Sequence, residues 1–174
     1  MVANYLRLIV FALGLLIGIQ VPGFVDQYAK RVSAHRIEIA RNFAGFQDTA
    51  NRYFGGNVEA LIAHHLASDD RAFRDEGTVI QGLHERLATL TAELAAMTGP
   101  LIKQIVHVAF RPNKEILDET WSEYTYSVPL NPPAIITGIA IGGLLAILVE
   151  SLFAGIVRVG RARRHHAGAT ARTR

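Results

Sequence analysis

The chain has 174 residues, 50% of them apolar and 19% charged, with a mean hydropathy of +0.22, a balance that excludes a disordered chain and is more apolar than an ordinary soluble domain. The absence of cysteine excludes a disulfide scaffold, a thiol nucleophile and any cysteine-bound zinc or iron–sulfur centre. The net charge of +3 points to nucleic acid only if the cations share a binding face, so their placement matters more than their sum.

The first element is apolar. Residues 8 to 25 read LIVFALGLLIGIQVPGFV, eighteen residues with no charge, which reaches the lower limit for a membrane-spanning helix. Arg7 ahead of this stretch also resembles the start of a secretory signal, but no small-x-small cleavage site follows it, so a retained anchor is the expectation. After Pro22-Gly23 the spacing turns helical: Val25, Tyr28, Val32, His35, Ile39, Phe43, Phe46, Ala50 and Tyr53 line one face until Gly55-Gly56. Asn57 suits the N-cap of a short helix with Leu61, Ile62 and Leu66, and Ser68-Asp69-Asp70 forms the next break and cap.

A long helix is expected from about Asp70 toward Met97. Its Ile80, Leu83, Leu87, Leu90, Leu94 and Met97, continued by Leu101, alternate steps of three and four, the seam of a coiled coil. Gly99-Pro100 breaks it before a piece from Leu101 to Phe110, and Arg111-Pro112-Asn113 separates that from a short helix over residues 114–123. The second apolar stretch starts after Pro132-Pro133 and runs to Val157, interrupted only by Glu150. At a rise of ~1.5 Å per residue it reaches roughly 37 Å, enough to cross a core of ~30 Å. A buried helix of a soluble protein is the competing reading.

These features define an all-α chain in which two transmembrane helices flank an extramembrane antiparallel helical hairpin with a coiled-coil-like seam. A self-associating parallel coiled coil is the alternative. The expected divisions are 1–23 (N-terminal end and first span), 24–132 (helical domain), 133–157 (second span) and 158–174 (a basic tail expected to be disordered). The terminal regions hold seven basic residues against one acid, a net of +6, whereas residues 24–132 hold eleven against fourteen, a net of −3. The positive-inside rule then places both termini in the cytoplasm and the middle in the periplasm of a Gram-negative cell. The arginines of the tail need no nucleic acid to explain them, and a nucleic-acid partner is not expected.

Several residues invite a functional reading. Gly14 and Gly18 form G-x-x-x-G, and Ala134, Gly138, Gly142 and Ala146 extend the same spacing in the second span. Small residues at that interval let membrane helices approach closely, either the two spans of one chain or two copies of it. Glu150 is the one ionisable group inside an apolar stretch, and Arg7 lies at the corresponding end of the first span. An Arg7–Glu150 ion pair is therefore expected, with a proton-relay role as the rival. Trp121, Tyr124 and Tyr126 precede the second span, where an aromatic belt belongs.

His64, His65 and Asp69 are weak metal candidates, because His65 and Asp69 at i, i+4 share a helix face if the helix extends that far. A solvated helix end with capping aspartates is the simpler reading. No catalytic constellation, phosphate-binding loop or cofactor motif is present, and no cofactor is expected.

The order of features resembles a proteobacterial family of membrane proteins of unknown function, domain of unknown function 2937. The carrying residues are GIQVPGFVDQYAKR from Gly18 to Arg31, GFQ from Gly45, YFGG from Tyr53, SDD from Ser68, ETW from Glu119 and YSVPLNP from Tyr126. The resemblance implies a bacterial, inner-membrane protein with two spans and assigns no catalytic or ligand residue. The expected function is that of a non-enzymatic accessory or scaffold protein. Its expected partners are the lipid bilayer and a protein partner or a further copy of the chain. A metal- or small-molecule-sensing module and a small transporter subunit are the alternatives.

Overall fold

The structure, a computed structural model, describes residues 2–125 and 131–170, with side chains at residue 5 and over 8–125 and 131–151. Among them it is all helical: α1 (Val2–Tyr53), α2 (Val58–Leu66), α3 (Arg71–Ala96), α4 (Leu101–Phe110), α5 (Lys114–Ser122) and α6 (Pro132–Thr170). Two of these, α1 and α6, are long and apolar enough to cross a membrane, with mean hydropathies of 2.4 and 2.1 in their most apolar stretches. The chain divides into two units, one made of Met1–Phe24 with Thr125–Arg174 and the other of Val25–Tyr124.

The first apolar stretch and the helical spacing that follows Pro22-Gly23 belong to one helix, because α1 continues through Pro22 without interruption. Proline removes one ladder hydrogen bond and crowds the carbonyl four residues back, at a cost of ~3 kcal/mol in a helix interior. Packing on both sides of that point offsets it: Ile19 is buried in the first unit, and Val25 and Tyr28 are buried in the second.

In the first unit the start of α1 lies against α6 through glycine. A Cβ added at Gly18 would stand 2.7 Å from the Gly138 Cα, and one at Gly14 would stand 2.9 Å from the Gly142 Cα. Backbone therefore meets backbone, and Ala134 and Ala146 are buried along the same line. Most of the large apolar side chains of this unit face outward, among them Leu8, Ile17, Ile136, Leu144 and Ile147.

In the second unit the core gathers Phe43, Ala50, Val58, Leu61, Ile62 and Ile80, with Phe46, Phe54, Leu83 and Leu87 packed on it. The seam residues divide unevenly: Ile80, Leu90 and Met97 are buried, while Leu83, Leu87 and Leu94 are half-buried. Tyr53, counted on the buried face of α1 by its spacing, is 72% exposed instead. The helix is already ending there, and Phe54 takes the inward place. The turn depends on Gly55 and Gly56 at φ +62° and +84°, a region L side chains avoid. It is closed by the Gly56 amide donating to the Ala50 carbonyl at 3.0 Å.

Side-chain caps start the next helices. Asn57 accepts from the Ala60 amide, Asp70 from Ala72 and Asn113 from Ile116, each satisfying an amide that the first helical turn leaves without a carbonyl.

Candidate functional site

The polar side chains of the second unit form two linked clusters around one face of α1. Tyr28, wholly buried, donates its hydroxyl proton to Glu93 Oε1 of α3 at 2.5 Å and accepts from the Asn113 amide at 2.8 Å. His107 Nε2 of α4 meets the same Glu93 oxygen at 2.7 Å. One phenol thus ties α1 to α3 and to the entrance of α5, with α4 joined through the shared carboxylate. Burial, followed by the bond to Glu93, pushes the Tyr28 phenol well above its ordinary value, and the Asn113 amide pulls the other way. The phenol is held neutral as a donor, not poised as a base.

One turn along α1, Arg31 bridges two acids of the α5 region, Glu119 at 2.6 Å and Glu123 at 2.8 Å. His35 Nε2 stands 2.7 Å from the other Glu119 oxygen. The His35 and Arg31 bonds hold the Glu119 carboxyl below the usual range against some opposing desolvation. Farther along, Arg86 of α3 grips Glu115 with two nitrogens, at 3.0 and 2.7 Å. That fork lowers the Glu115 carboxyl in the manner of a bidentate guanidinium–carboxylate pair.

Every buried side-chain nitrogen and oxygen among the described residues has a hydrogen-bond partner. These groups are committed to one another, and their chemistry is that of a clasp closing α3, α4 and α5 onto α1. Spacing did not reveal the clasp, because its α1 residues lie 65 to 92 residues from their partners. A signal was nevertheless present in the motifs. Tyr28 and Arg31 belong to the GIQVPGFVDQYAKR block and Glu119 to ETW, so two blocks that carry the family resemblance meet at the Arg31–Glu119 pair. The YFGG and SDD blocks hold the glycine turn and the Asp70 cap.

The condition on which the metal candidates depended, that α2 extends to Asp69, is not met. Helix α2 ends at Leu66, so His65 and Asp69 do not share a helix face, and this correction follows from the break at Ala67-Ser68. His65 Nδ1 lies 2.9 Å from the Leu61 carbonyl and its Nε2 lies 3.8 Å from Glu76. His64 packs its ring near Phe54. No group of three or more histidine or acidic side chains among the described residues is arranged to hold a metal.

Four histidines instead face a glutamate of another helix, the remaining pair being His84 with Glu59 at 3.4 Å. Gly14, Gly18, Gly138 and Gly142 come together as described, with Ala146 beside them. Trp121 is 67% exposed in the last turn of α5, and Tyr124 is half-buried. Tyr126 and the Arg7 side chain lie outside the described residues, and with them the proposed Arg7–Glu150 pair; Glu150 itself is exposed on α6.

No curated protein and no solved structure matches the chain. A family model described as "Protein of unknown function (DUF2937)" matches residues 2–162. Nearly the whole chain is covered, including the clasp, the glycine contacts and the apolar stretches of α1 and α6, and it therefore belongs to the DUF2937 family.

Proposed function

We propose that this protein is a two-span bacterial inner-membrane protein that acts without enzymatic chemistry, as an accessory or scaffold whose extramembrane helical unit engages a protein partner or a further copy of the chain. The carrying observation is the outward direction of the apolar side chains in the first unit: Leu8 is 63% exposed, Ile17 60%, Ile136 67% and Leu144 67%. A helix in the core of a soluble protein buries such groups, whereas a membrane helix presents them to lipid. The glycine contacts suit the same setting, since close backbone packing drives helix association where lipid removes the hydrophobic drive. The tail cations and the acidic middle support cytoplasmic ends and a periplasmic unit.

The second unit supports an interaction role through its clasp. Its buried polar groups satisfy one another, which suits a rigid presented surface better than a reacting centre. Crosslinking in native membranes followed by mass spectrometry tests the scaffold reading. Recovery of a defined protein attached to residues 25–124 supports it, and recovery of the uncrosslinked monomer alone contradicts it.

A further inference from the structure

We propose that α4 is an interfacial helix, which seats its outward apolar stripe in the anionic headgroup layer of the bilayer that α1 and α6 cross. The inference rests on the membrane reading above and adds to it a lipid-binding surface on the second unit.

Helix α4 is apolar on two sides. Its inward side carries buried Val108 with half-buried Leu101 and Ile105. Its outward side carries Ile102, Val106 and Phe110, which are 65%, 49% and 77% exposed. Steps of four place these three in one line along the helix. Ten residues are too few to cross a bilayer, so a helix with an unsatisfied apolar line beside a membrane lies in its surface.

Charge is segregated in the same place. Between Glu93 and Glu115 the chain holds Lys103, Arg111 and Lys114 and no acid, whereas the remainder of residues 25–124 has eight cations against fourteen acids. The stripe is therefore flanked by the cations that anionic headgroups attract, within a unit whose other surfaces repel them.

Position supplies the third argument. The Asn113 amide lies 2.8 Å from the Tyr28 hydroxyl, and His107 shares Glu93 with that hydroxyl. Tyr28 follows Val25, the last residue of the uncharged stretch, by ~4.5 Å of helix rise. The clasp thus tethers the C-terminal half of α4 beside the point where α1 leaves its apolar segment, within reach of an interfacial layer that adds roughly 5–8 Å to each side of the hydrocarbon core. A soluble partner or a second copy would not account for both the local cations and this tether.

The test uses the full chain, which has no cysteine of its own, reconstituted in vesicles of phosphatidylcholine and phosphatidylglycerol. Ile102→Cys, Val106→Cys and Phe110→Cys each receive an environment-sensitive fluorophore, with Gly45→Cys, an exposed α1 position with open space around it, as the aqueous control. Docking predicts blue-shifted emission, strong quenching by lipid spin-labelled near the headgroup, and accessibility to iodide severalfold lower than at Gly45.

If the three α4 probes match the Gly45 probe while the protein resists carbonate extraction, docking is refuted and the spanning reading stands. Release by carbonate refutes both. Shielding that appears only at high protein-to-lipid ratio, with energy transfer between labelled copies, identifies a second copy as the occupant and also overturns the proposal.

Discussion

Tyr28→Phe removes one oxygen from the centre of the clasp, and its cost can be worked from the contacts. The hydroxyl donates to the Glu93 carboxylate at 2.5 Å and accepts from the Asn113 amide at 2.8 Å. A hydrogen bond to a charged group contributes about 1.5–3 kcal/mol, and a buried donor left without a partner costs a similar amount. The Asn113 amide keeps a weaker contact with Glu93 Oε1 at 3.4 Å and Glu93 keeps His107, so the expected loss is about 2–3 kcal/mol rather than the full sum.

For a unit of about a hundred residues that loss lowers the midpoint by on the order of 10 °C. Trp121, the single tryptophan, reports on this unit from α5, and its emission on heating in detergent measures the shift. A pH series adds a check that a packing defect would not mimic. The Tyr28 phenol is raised in the fold, so its contribution is complete below the ordinary tyrosine value of about 10 and is lost as pH climbs from there toward the folded value. Tyr28→Phe should therefore lose part of the alkaline destabilisation as well as stability at neutral pH. A variant melting within about 1 °C of the parent, with an unchanged alkaline limb, would refute the clasp.

Glu119→Gln tests the other half of the clasp in acid. The Glu119 carboxyl is lowered by His35 and Arg31, so its stabilisation is present above the unfolded value near 4.5 and is lost as pH falls through the folded value. The variant should lose about 1 kcal/mol at neutral pH, discounted for partial exposure, and show a flatter decline below pH 4.5 in the same melts. Gly138→Leu should cost about 1–3 kcal/mol by overpacking, because its Cβ would meet Ile19 Cγ1 at 2.5 Å and the Leu15 carbonyl at 3.0 Å. Gly143→Leu, where a Cβ meets nothing within 4 Å, should leave the detergent melting temperature unchanged. Asp70→Ala removes the side-chain cap of α3 and should cost about 1 kcal/mol in chemical denaturation. Divalent zinc should shift the melting temperature of neither the parent nor His65→Ala, and a zinc-dependent rise in the parent that is lost in His65→Ala would reinstate a metal site.

Much of this architecture was legible because helix ends are written locally. Asn57, Asp70 and Asn113 each cap the helix that follows them, and Gly99-Pro100 separates α3 from α4. The glycine spacing marked one face of each apolar helix, since a step of four returns to one helix face, and Gly14 and Gly18 lie against Gly142 and Gly138. The continuity of α1 through Pro22 was not legible, because the proline's local cost is real and the packing in each unit that offsets it is invisible in a one-dimensional pattern. Asp69 would share a face with His65 only if α2 ran three residues farther than Leu66, where it ends. The clasp was hidden for a different reason: Tyr28 and Val32 read as seam residues, and no spacing rule links Tyr28 to Glu93 or Arg31 to Glu119. What a buried tyrosine does need is a partner for its hydroxyl, a requirement that poses the question without naming Glu93.

Cysteine accessibility most directly tests the claim that two spans hold the helical unit on one side of a membrane, because the chain carries no cysteine to confuse it. Single cysteines at Gly45 and Thr91, both exposed in the second unit, and at Gly168 in the basic tail are treated with a membrane-impermeant maleimide in cells whose outer membrane is made porous. The account predicts labelling at Gly45 and Thr91 but at Gly168 only after the inner membrane is opened. Equal labelling of all three before that opening, or equal protection of all three, would contradict it.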